Sequence, residues 1–128
     1  MTHDPKEIFV TVDTMNAAIV EVEAKFRHHW IARASIHLMG RDGPDDDWEL
    51  HWIKWNGKYH ICVRHLREGK EADPQLLSKC SIMVRKDALM HLDALWAACE
   101  SAQKELEVGL QNAIVNASNF LTKIGKEP

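Results

Sequence analysis

The chain has no apolar run approaching the roughly 20 residues that a membrane-spanning helix requires, which excludes an integral helical membrane protein. No Cys-x-x-Cys, no His-Glu-x-x-His and no glycine-rich phosphate loop occurs in its 128 residues, so the common zinc and nucleotide signatures are missing. Excess charge of one sign is lacking too. Sixteen basic residues against 19 acidic give a net charge of -3, too little to hold duplex nucleic acid or an anionic membrane by overall charge. Cysteine is scarce and odd in number. Cys62, Cys80 and Cys99 fall in segments that read as strand, loop and helix interior, so buried reduced thiols are expected rather than a disulfide framework. With no basic-then-apolar signal pattern at the N-terminus, this points to a cytoplasmic protein. The length predicts one domain over residues 1–128, large enough to bury a core.

What is present is a hairpin signal. Asn56-Gly57 separates two alternating, aromatic-rich runs, Trp48–Trp55 and Lys58–His65, and a two-residue turn of this type fixes register. Lys54 should oppose Tyr59, Trp52 oppose Ile61, His51 oppose Cys62, and Glu49 oppose Arg64. One face then carries Trp48, Leu50, Trp52, Tyr59, Ile61 and Val63 and reads as core. The other carries Glu49, His51, Ile53, Trp55, His60, Cys62 and Arg64, a mixed surface on which function could be written.

Helices flank the hairpin. Asp4-Pro5-Lys6-Glu7 has the form of a helix start, and Ile8, Val12, Met15, Ile19, Val22 and Phe26 recur every three or four residues to about His28. From Trp30 the period changes to two, predicting a strand from Trp30 to Met39. Residues 40–47, rich in Gly, Pro and Asp, read as a loop, and Leu66 to Lys79 as an irregular connection with Leu76 and Leu77 as plugs. Ser81 should cap a last helix running to about Ile124, with a seven-residue repeat of apolar positions. Such a helix would be ~60 Å long. A domain of this size is only ~35 Å across, so the helix must break, with Gly109 the obvious place, or project and bury its end against another chain. The predicted architecture is α+β, in the order α-β-β-β-α. A three-stranded antiparallel sheet is packed on one face by the N-terminal helix and the long C-terminal helix. Residues 107–124 form a helical extension used in self-association through Leu106, Leu110, Ile114, Phe120 and Leu121.

Candidate chemistry is thin. His51, His60 and Cys62 would share a sheet face and are of zinc-ligand type, but flat sheet neighbours rarely converge on one ion, so no metal or other cofactor is expected. The Asp45, Asp46 and Asp47 cluster reads as a solvated loop rather than a cation site. Cys62 near two histidines lacks a residue to orient a base, and a non-enzymatic protein is expected. The stronger reading is a binding surface of Trp55, Ile53, Arg64, His60, Arg33 and Lys58, since arginine beside aromatic residues is what interface hot spots use. The alternative is a small-molecule or nucleotide binder in which Arg33, Lys58 and Arg64 hold phosphate.

The pattern Leu50-x-Trp52, Gly57-Lys58-x-x-Ile61, Pro74-x-x-Leu77, Ser81, Arg85-x-x-Ala88-x-x-x-Leu92-x-x-Leu95 resembles that of small uncharacterised proteins carried by phages and prophages of bacteria. It covers roughly residues 48–96 and brings no activity or functional residues with it. The resemblance implies a context in which small accessory proteins act stoichiometrically, as inhibitors or adaptors of a host protein. The expected partners are therefore a second copy of the chain and an unidentified protein.

Overall fold

Asn56 and Gly57 adopt φ values of 50° and 85°, the left-handed pair that a type I′ turn demands, and this turn sets the sheet. The computed structural model describes residues 5–39, 47–67, 70–71 and 73–125. Strand β2 (Asp47–Trp55) pairs antiparallel with β3 (Lys58–Arg67) in the expected register, Lys54 opposite Tyr59, Trp52 opposite Ile61 and Glu49 opposite Arg64. Strand β1 (Ala34–Met39) lies antiparallel on the far side of β2, with Ile36 opposite Leu50 and His37 opposite Glu49. The protein is α+β. Helix α1 (Pro5–His29) precedes the sheet, and two helices, α2 (Ile82–Leu89) and α3 (Leu92–Gly125), follow it. The expected Asp4 cap and the loop with Asp45 and Asp46 lie outside the described residues.

Core positions match the alternation. Trp48, Leu50, Trp52, Ile61 and Val63 are buried on one sheet face together with Ile19 and Phe26 of α1, Ala88 of α2, and Leu95 and Cys99 of α3. Complete burial of side chains of this size contributes roughly 1.5–3 kcal/mol each, so this single cluster dominates stability. At its centre Phe26 tilts against Trp52 at 5.2 Å and meets Trp96 edge-on at 5.0 Å, while Trp52 stacks on Tyr59 at 5.6 Å. All three helices join the cluster on the Trp52 face.

Three segments depart from expectation. First, the opening strand begins at Ala34, not Trp30, because residues 30–33 form a corner held by long-range polar contacts. Gln103 Oε1 accepts from the backbone N–H groups of Ile31 (2.8 Å) and Ala32 (3.3 Å), and Gln103 Nε2 donates to His29 O (3.0 Å). Trp52 Nε1 donates to Trp30 O at 3.3 Å, and Tyr59 Oη to Ile31 O at 2.8 Å. These bonds satisfy the corner's backbone in place of a strand ladder.

Second, the connection after β3 is more ordered than its composition suggests. Short strands β4 (Lys70–Glu71) and β5 (Gln75–Leu76) both pair antiparallel with β3, and a 3-10 turn (Leu77–Lys79) sets the buried Leu77 into the core. The three long strands thus gain two short neighbours on one edge. Third, Ser81 does cap a helix, its hydroxyl accepting from Val84 N at 3.3 Å, but that helix stops at Leu89. The chain turns at Met90-His91, where His91 N donates to Ala88 O (3.0 Å) and its ring Nδ1 lies 2.7 Å from Asp87 O. Gly109 is not the break. Helix α3 runs through it for 34 residues, about 51 Å.

Candidate functional site

The outer sheet face forms as the alternation requires, with Glu49, His51, Ile53 and Trp55 of β2 beside His60, Cys62 and Arg64 of β3. Ser35 and His37 of β1 continue the face, opposite His51 and Glu49. Much of its polarity is already engaged. His51, buried, has Nε2 3.2 Å from Glu49 Oε1, and Arg64 Nη1 lies 3.9 Å from the same carboxylate oxygen. His37 Nε2 lies 3.4 Å from Asp47 Oδ2.

His60 turns toward α1 instead. Its Nδ1 lies 3.1 Å from Glu23 Oε2 and 3.2 Å from Arg27 Nη2, and Glu23 Oε2 also accepts from Ile61 N at 2.8 Å. Arg27 Nε donates to Tyr59 O at 2.7 Å. Glu23 is buried, and with Arg27 it covers the outer edge of β3 over residues 59–61, before β5 takes over at Cys62 and Val63. An edge strand closed in this way cannot template pairing with another chain. Glu23, Arg27 and Gln103 were not legible as structural residues in the sequence, where they read as ordinary helix polar positions.

Of the six nominated surface residues, Lys58 and Arg33 are exposed, Trp55 and Ile53 are half-buried, and His60 and Arg64 are tied to carboxylates. Lys58 sits opposite Trp55 at the turn, whereas Arg64 sits opposite Glu49, six positions away along the strand or ~20 Å. That separation is too great for the two cations to share one phosphate. His51 and Cys62 are directly opposed, as expected. Yet among the described residues no group of three or more His, Cys, Asp and Glu side chains is placed to hold a metal ion. Burial, assisted by Glu23 and Cys80, pushes the Cys62 thiol up to about 12, and burial alone does the same for Cys99. Both stay protonated at neutral pH, the opposite of what a nucleophilic cysteine needs.

A cleft of about 310 Å3 lies between α1 and α3, lined by Val22, Phe26, Leu92 and Trp96 together with Glu21, Lys25 and Asp93. None of the nominated residues borders it. Its charged residues carry both signs, Glu21 and Asp93 against Lys25.

The second half of α3 is the most unusual surface. Every residue from Lys104 to Gly125 is exposed, including Leu106, Leu110, Ile114, Phe120, Leu121 and Ile124. Ile114 is 66% exposed, Leu121 63% and Phe120 59%. Eighteen residues make about five whole helical turns, so a position and its eighteenth successor share an azimuth. Leu92, Leu95, Trp96, Cys99 and Leu106 accordingly recur as Leu110, Ala113, Ile114, Ala117 and Ile124. The first set packs on the core, apart from Leu106, which begins the exposed stretch. The second set continues the same stripe past the edge of the globule. It has the composition of a buried helix face, yet among the described residues nothing covers it. Among the described residues no helix is long and apolar enough to cross a membrane, so lipid burial of this stripe as a span is excluded.

No family model, curated protein or solved structure matches this chain.

Proposed function

We propose that the protein is a non-enzymatic interaction module that self-associates through the second half of α3 and presents its outer sheet face to a different protein. The observation that carries this reading is the uncovered apolar stripe from Leu106 to Ile124. At the exposures of its six large side chains the stripe offers on the order of 600 Å2 of apolar surface, at the upper limit of what monomeric proteins leave in water. Its residues are those of a helix interior, and a hydrophobic face of this kind is stabilised only by burial.

The outer face supplies a second surface, with Trp55 and Ile53 half-buried between the exposed Lys58 and Arg33. Arg64 and His60 at its margins are engaged within the chain and act there as shape rather than as charge seeking a ligand. A stoichiometric inhibitor or adaptor needs only such surfaces. The reading fits an accessory protein of phage type acting on a host protein, and reduced, protonated thiols suit a cytoplasmic setting.

Solution mass tests the proposal. The chain is expected to weigh a multiple of 14.7 kDa by light scattering at micromolar concentration. Ile114→Lys, which places a charge in the stripe without touching the globule, is expected to return it to a single protomer with an unchanged near-UV spectrum. A wild-type chain of 14.7 kDa across the micromolar range would remove the reading.

A further inference from the structure

The apolar stripe shares its azimuth with the face that packs on the sheet, and this restricts how a second copy can lie against it. We infer that two chains pair through residues 106–124 in antiparallel orientation, about a two-fold axis near residue 115; the inference rests on the self-association proposed above. Three observations carry it.

The first is steric. Over Leu92 to Gln103 the stripe is covered by the chain's own sheet and α1. If two α3 helices met stripe to stripe in parallel, both globules would lie at one level on the facing sides, and both sheets would need the same space. Reversing one helix removes the conflict. Each uncovered half then lies along the uncovered half of its partner, and the globules sit at opposite ends. With the axis near residue 115, Leu106 comes level with the partner's Ile124, Leu110 with the partner's Phe120, and Ala113 with the partner's Ala117. Near the axis Ala113 and the partner's Ala117 let the two helices approach closely, with Ile114 flanking them and the other large side chains toward the ends.

The second is charge. Among residues 105–125 the charged side chains are Glu105, Glu107 and Lys123. Glu105 and Lys123 are separated by eighteen positions and so lie on one flank of the helix. Antiparallel pairing brings each Lys123 toward the partner's Glu105 across that flank, twice by symmetry. Parallel pairing would set like charges level, and would align rather than oppose the helix dipoles.

The third is area and continuity. Two copies of the stripe remove on the order of 1,200 Å2 from water, the lower end of the range for specific dimers. More apolar surface stands where the tip of the partner helix arrives. Ile31, 63% exposed, belongs to the corner whose N–H groups Gln103 holds, about one turn before Leu106. The partner's Ile124 would reach this corner and extend the contact beyond helix on helix.

The test is a distance. Lys104→Cys places a label on an exposed position outside the pairing face, with Cys80→Ser removing the half-exposed native thiol; Cys62 and Cys99 are buried. Light scattering gives the mass of the spin-labelled chain, and double electron–electron resonance the label separation. A dimer with labels ~35 Å apart is expected, from the 1.5 Å rise over the residues separating position 104 from the level of its partner. A dimer with labels within ~20 Å would overturn the antiparallel arrangement while leaving self-association standing. A single protomer without dipolar coupling would overturn both. Ile31→Lys is expected to raise the dimer dissociation constant about tenfold; an unchanged constant would overturn the contact of the helix tip with the corner.

Discussion

Glu23 holds more of the fold than its position in the middle of a helix suggests. Its carboxylate accepts the N–H of Ile61 at the edge of β3 and lies within hydrogen-bond distance of His60, with Arg27 alongside at 3.9 Å. Glu23→Ala leaves a buried N–H without its partner, a loss of about 1–3 kcal/mol. Glu23→Gln retains an acceptor oxygen and should recover most of it, and urea titration of the three proteins measures the difference. The thiols behave oppositely to catalytic ones. Cys62 and Cys99 should resist alkylation in the native chain at pH 8 and react only when urea unfolds it. Since their folded values are raised from 9.0 to about 12, the stability they contribute is complete below about pH 9 and is lost as pH climbs toward 12. Alkaline titration of the melting temperature checks the sign.

At the scale of elements, what was readable from the sequence depended on whether the cause was local. The β2–β3 register follows from two turn residues with positive φ and from alternation on either side, all within twenty residues of chain. The uncovered stripe was legible for the same reason, as a repeat within one helix. The break between α2 and α3 was not. Met90-His91 contains neither glycine nor proline, and the turn is secured by a His91 ring nitrogen and by packing of Ala88 and Leu95 into a core assembled from distant strands. Likewise the late start of β1 depends on Gln103, more than seventy residues away. Gly109 reads as a helix breaker, yet a Cβ added there meets nothing within 4 Å and the helix continues through it to Gly125. Gly109→Ala should therefore stabilise this stretch by about 1 kcal/mol. Amide exchange over residues 105–113 is expected to slow about fivefold, and a weakened dimer instead would mean that the two backbones meet at Gly109.

At the scale of the molecule, the protein is a core of sheet and helices from which half a helix extends. The nominated binding face and the stripe proposed for self-association lie on different elements, so one can be occupied without displacing the other. Stability should then depend on protein concentration. Raising the chain from 1 to 100 times its dimer dissociation constant is expected to lift the melting temperature, and Ile114→Lys should abolish that dependence. Calorimetry at two concentrations gives the answer.

Among the described residues, the core takes nothing from the chain beyond Gln103. Residues up to that point supply the contacts of the sheet, the aromatic cluster and the corner. A chain cut after residue 105 is therefore expected to keep the same globule and the same near-UV spectrum, losing the exposed half of α3 and nothing of the core.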